Sequence, residues 1–206
     1  MSWFNSSKKN ESAMSKLSKK VFEMSLLGME ALKPDLEKKF GKDSKTFNSK
    51  YIPVLFEFMY FFLHLTDRYA FDQLGQERRN KLYDELVPTT IDAMIKNSFG
   101  HSCPKNIRDG IEKDFYSNLN NAQMDYGSCK ELLLDPKDDT RTLEKLKSGA
   151  KSKSMVGQLT DNLSQIIEGE INCNAFFPML IWSVVIESLK KKELQALVSE
   201  ASKEID

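Results

Sequence analysis

Residues 51–74, YIPVLFEFMYFFLHLTDRYAFDQL, form the most apolar long stretch of the chain, and their spacing is that of a helix. On a wheel of about 100° per residue, Phe56, Phe58, Met59, Phe62, Leu63, Leu65 and Tyr69 cover one broad side. Glu57, His64 and Arg68 fall on a narrow strip of the other side, edged by Tyr60, Asp67 and Asp72. Phe61 and Phe71 interrupt that strip, which is awkward for a plainly solvated face. Such a helix is the natural centre of a bundle.

The flanking patterns supply its partners. Leu17, Val21, Met24, Met29 and Leu32 recur at helical spacing and predict a first helix from about residue 15. Pro34 ends or kinks it, and Gly41 stops it. Pro53 is placed in the first turn of the central helix, with Asn48 or Ser49 as its cap, and Gly75 closes it. A third helix then starts without a long loop, which predicts an antiparallel pair, with a kink or break near Pro88. After Pro104, Ile107, Ile111, Phe115 and Leu119 recur every four residues, and 120–127 reads as a turn. Ser128 and Glu131 have capping-box spacing ahead of a short apolar run. Met155, Leu159, Leu163 and Ile166 mark another helix, and a nearly continuous apolar segment at 175–186 runs into an amphipathic tail.

No window alternates with period two, and no repeat is present. The expected fold class is all-α: an irregular bundle of six to eight helices in a single domain, 1–206. Residues 1–14 read as a frayed terminus, and 135–154 as a mobile polar loop where a sub-domain boundary would fall.

At 206 residues the chain can bury a continuous core. Lys plus Arg and Asp plus Glu balance at 30 each, so no global field marks nucleic acid as a partner, and none is expected. The local basic patch of Lys145, Lys147, Lys151 and Lys153 lacks interleaved aromatics and reads as a solvated loop. Cys103, Cys129 and Cys173 are odd in number without CxxC spacing, which points to a reducing compartment, and a cytoplasmic location is expected. The first residues lack a signal-peptide core, and the 175–186 run is short of the roughly 20 residues of a spanning helix, so no membrane partner is expected.

Chemistry is less legible. His64 and Asp67, at i and i+3, are neighbours, so the carboxylate can hold the imidazole in one tautomer. Glu57 stands about 10.5 Å along the axis from His64, too far to share one metal easily. The plainer reading is a set of helix-surface pairs with His64 among them. Glu187, in WSVVIESL, either faces the strip from another helix or marks where that helix emerges into water. His101 and Cys103 can bring imidazole and thiol together, as ligands or as base and nucleophile, or simply form a capping loop. No metal site is assigned: His64, Asp67, His101 and Cys103 are weak candidates only. Phosphate-loop, dinucleotide, Gly-x-Ser-x-Gly and His-Glu-x-x-His patterns are absent, and no cofactor is specified.

Two functions follow as expectations. The first is a protein-interaction or self-association module, with a protein partner or a second copy held on an apolar face rich in Phe and Met. The alternative is a small-molecule or metal-binding bundle, enzyme or not, using Glu57, His64, Asp67 and Arg68 with Glu187 opposite. The alternative requires His64 to be buried in polar surroundings.

Overall fold

The apolar period over 51–74 belongs to a longer rod in the structure, a computed structural model that describes residues 11–42, 44–132, 152–168, 176–189 and 191–205. Six α-helices are present among these residues: α1 (Ala13–Phe40), α2 (Lys45–Phe99), α3 (Lys105–Gly127), α4 (Met155–Glu168), α5 (Phe176–Ser188) and α6 (Lys191–Ala201). The described residues contain no strand, only a single parallel bridge between Glu131 and Ser154, and the fold is all-α. No described helix is long and apolar enough to cross a membrane.

Ser44, rather than Asn48 or Ser49, caps α2, its hydroxyl accepting from the Phe47 amide at 3.0 Å. Pro53 therefore lies in the third turn. At Gly75 the backbone leaves helical values (φ 73°, ψ 177°), a conformation that glycine reaches without a Cβ clash. In a straight helix, Asp67 and Arg79 would stand about 18 Å apart along the axis. Their side chains are nonetheless hydrogen-bonded, so the rod turns back sharply at Gly75. Pro88, by contrast, makes no break: Gly75 is the only residue of α2 with non-helical dihedrals. Pro88 and Asp84 are exposed, so the carbonyl deprived of its partner meets water. The neighbouring carbonyls of Glu85 and Leu86 also take bonds from the Thr89 and Thr90 hydroxyls.

Helix α1 runs through Pro34 to Gly41 and packs along α2. The approach is close at Gly28, where an added Cβ would sit 2.7 Å from the Phe58 ring. The helix starts at Ala13, earlier than a frayed 1–14 implies, because Glu204 accepts from the free amides of Ala13 and Met14. Residues 1–10 lie outside the described residues. Helix α6 packs on both α1 and α2, α5 on α1 and α4, and α3 and α4 close the remaining side of α2.

Residues 120–127 are the last two turns of α3 and not a separate turn, because Ala122 and Tyr126 are buried against the neighbouring helices. No helix starts at Ser128. The Glu131 amide instead donates to the Lys153 carbonyl and the Glu131 carbonyl accepts from Met155, tying the end of α3 to the start of α4. Of the expected loop 135–154, residues 135–151 lie outside the described residues, whereas Ser152 and Ser154 are buried.

Candidate functional site

Every residue from Val54 to Asp67 is buried, so α2 is covered on all sides where the wheel places its ionisable strip. Glu57 is 7% exposed, His64 8% and Asp67 5%. Arg68 is half-buried, and Asp72 and Phe71 lie on the surface beyond. Glu187 is exposed on α5, where its helix meets water. The strip residues divide into two clusters, joined by one residue of α3, Tyr126.

The first cluster is centred on Glu57. The Tyr126 hydroxyl donates to its Oε1 at 2.5 Å, and Asn162 Nδ2 of α4 donates to the same oxygen at 2.7 Å. Asn162 is itself oriented by Gln158 Nε2, which donates to its Oδ1 at 2.8 Å. Burial raises the Glu57 pKa, the two donated bonds act against that, and Asp125 adds to it. The Tyr126 hydroxyl is pushed well up by the same burial and by the adjacent carboxylate, which keeps it a donor.

In the second cluster Arg68 spans three acceptors. Its Nε donates to His64 Nε2 at 3.1 Å, and its Nη2 donates to the carbonyls of Tyr126, at 2.9 Å, and Cys129. Because Nε2 accepts, the imidazole is neutral with its proton on Nδ1. Burial, Arg68 and Arg79 together bring the His64 pKa down to about 4. Asp67 does not hold His64. Its carboxylate is taken by Arg79, which the turn at Gly75 brings back, and its buried Oδ1 has no partner among the described residues. Burial raises the Asp67 pKa against the opposing pull of Arg79 and Arg68.

An open cleft of about 830 Å³ lies beside the first cluster, between the N-terminal half of α2, α3 and α4. Glu57 lines it, with Asp114 and Asp125 of α3, and no Lys, Arg or His does so among the described residues. Carboxamides from Asn118, Asn121, Asn162 and Gln165 occupy much of the remaining wall. His64 is buried and is not part of the lining. Cys103 is half-buried in the turn before α3, and the His101 side chain lies outside the described ones. Among the described residues, no three His, Cys, Asp or Glu side chains converge as metal ligands would.

Tyr126, Asn162 and Arg79 are the site residues that the sequence reading did not select. Tyr126 and Arg79 sit in polar surroundings, NAQMDYGS and GQERRNK, that look like surface. Asn162 carried a weak signal, a carboxamide one residue from Leu163 on the apolar face of α4. The chain matches no protein-family model, no curated protein and no solved structure, so the residues themselves carry the functional argument.

Proposed function

We propose that the protein is a single-domain helical binding module, an irregular bundle that takes a small polar molecule into the cleft between α2, α3 and α4. The observation that carries this reading is the state of Glu57. Both bonds to its carboxylate fall on Oε1, and Oε2 takes none from the described residues. Glu57 lines the cleft, and Oε2 is the oxygen this reading assigns to the ligand. A carboxylate desolvated by three helices, with one oxygen anchored and the other open to a polar cavity, is preorganised for a ligand.

A screen of small polar fragments by ¹H–¹⁵N correlation spectra tests this. Fragments that bind should move the amides of Glu57, Asn118 and Asn162. Asn121→Trp, an exposed lining position, should fill the cleft and remove those shifts. Binders that leave these amides still, or shifts that survive the tryptophan, sink the proposal.

Self-association is the second reading, favoured by Trp182 and Ile186. They share a face of α5 at i and i+4 and are 36% and 45% exposed. A second copy seated there should give concentration-dependent sedimentation that Trp182→Glu abolishes. A monomer at every concentration removes this reading.

A further inference from the structure

Gly75 alone separates the hairpin form of α2 from one continuous helix. It is the only residue of α2 with non-helical dihedrals, and its φ of 73° and ψ of 177° fall in a region essentially reserved for glycine. The residues around it, FDQLGQERRNK, are mostly good helix formers. Asp72, Gln73, Gln76 and Glu77 are exposed, and a Cβ added at Gly75 would meet nothing within 4 Å. Neither local propensity nor packing at the corner holds the turn.

What holds it lies farther along the two arms. Arg79 reaches Asp67, the Tyr60 hydroxyl donates to the Phe115 carbonyl at 2.9 Å, and Arg68 donates to the carbonyls of Tyr126 and Cys129. Tyr126 and Asn162 donate to Glu57, and Glu204 accepts from Ala13 and Met14. Each of these bonds joins a residue before Gly75 to one after it. The part before the corner is itself a packed pair, with α1 lying against the first arm of α2 where Gly28 meets the Phe58 ring.

We infer that residues 13–74 exchange with those of a second copy through Gly75, giving a dimer in which α2 is straight. Every bond named above is then remade between the two chains, and each Glu57 is held by Tyr126 and Asn162 of the partner subunit. Straightening also creates a new contact. Phe71 is 54% exposed, and in a continuous helix it shares one side with Leu74 and Arg78, at i, i+3 and i+7. Two such rods side by side cover a ring that the hairpin leaves in water. The exchange goes beyond the reading of the cleft as a ligand site, because it needs no ligand, and it uses no residue of the α5 face.

The buried bonds must break before the arms part, so monomer and dimer interconvert slowly and refolding sets the ratio between them. The test is refolding of the full chain from urea at high concentration, followed by size-exclusion chromatography with light scattering. Gly75→Ala loses the glycine-only conformation and gains helix propensity, without a clash at the corner. It should favour the dimer about tenfold at each corner, and so about a hundredfold in the dimerisation constant. In a dimer refolded from ¹³C-labelled and unlabelled copies, isotope-filtered spectra should show the Phe56 and Phe115 rings, 5.2 Å apart, in contact between chains. Trp182→Glu should leave this dimer intact.

A Gly75→Ala protein that stays monomeric overturns the exchange. So does a dimer without the contact between Phe56 and Phe115 of different chains, or one that Trp182→Glu dissolves. If Gly75→Ala does not fold, the parent carries the test against a variant with Gly-Ser-Gly inserted after Gly75, which lets the chain close on itself. A parent dimer that the insertion abolishes supports the exchange, and a parent that refolds only as monomer, or a dimer indifferent to the insertion, overturns it.

Discussion

Arg68→Ala should destabilise the protein by about 2 kcal/mol, as the replacement withdraws one charged donor from three acceptors. Two are the carbonyls of Tyr126 and Cys129, and the third is His64 Nε2. The Tyr126 carbonyl is one of the last four of α3 and also accepts from the Cys129 amide at 3.1 Å, so it loses one of two donors. A guanidinium there bonds it and also sets a positive charge against the negative end of the helix. Arg68→Lys should recover little, because one ammonium cannot span the fork of acceptors that Nε and Nη2 reach together. Urea unfolding gives the magnitude. Amide exchange should show the loss beginning at the end of α3, with Ser128, Cys129 and Lys130 opening first. A variant within about 0.5 kcal/mol of the parent would mean the three bonds contribute nothing measurable.

The second large effect is on acid stability. His64 has a folded pKa of about 4 against an ordinary 6.5, from burial first and then from Arg68 and Arg79. The unfolded chain therefore takes up the proton before the folded one does. Stability from the neutral imidazole is complete above pH 6.5, drains as the pH falls toward about 4, and is constant below that. The full swing is about 3 kcal/mol at most.

Glu57 and Asp67 work in the opposite sense. Burial raises both, so the folded state binds their protons first and gains relative stability as the pH falls toward ordinary carboxyl values. The parent shows the difference of these slopes. Glu57→Gln removes one of the opposing carboxyls and should lose thermal stability more steeply than the parent below pH 6.5. His64→Gln should lose it less steeply. Melting temperatures measured across this window decide the matter, and parallel curves for the parent and His64→Gln would contradict the assignment.

These two expectations concern residues that the wheel on 51–74 had already selected, and the reason lies in local chemistry. Glu57, His64 and Arg68 share a strip with Phe61, and an aromatic ring among charges signals that the strip is not simply wet. Phe61 is fully buried, whereas Phe71, placed on the same strip, is 54% exposed beyond the buried section. The pairing of His64 with Asp67 went differently. Their i, i+3 spacing allows contact, but Arg79 competes for the carboxylate, and its approach depends on how far the chain turns at Gly75. A glycine marks a stop in a sequence without giving the direction in which the chain continues.

The same distinction runs through α3. Ile107 to Leu119 predict the helix by their period, yet its last two turns, Asn120 to Gly127, look like surface and turn. They are helical because Ala122 and Tyr126 are buried by other elements, and tertiary burial outweighs weak local propensity. Without those two turns there is no Tyr126 hydroxyl at Glu57 and no wall from Asp114 to Asp125.

By itself, the sequence determined the all-α class, the central place of 51–74 and the ionisable strip on it, since helical period and side-chain type are local properties. Only the tertiary structure decided which side chains the strip meets. Tyr126 and Asn162 meet Glu57 from 69 and 105 residues away. Contacts at that separation are set by how helices pack, which leaves no periodic mark in the chain. That packing set Tyr126 and Asn162 on one oxygen of a buried carboxylate that lines a cleft.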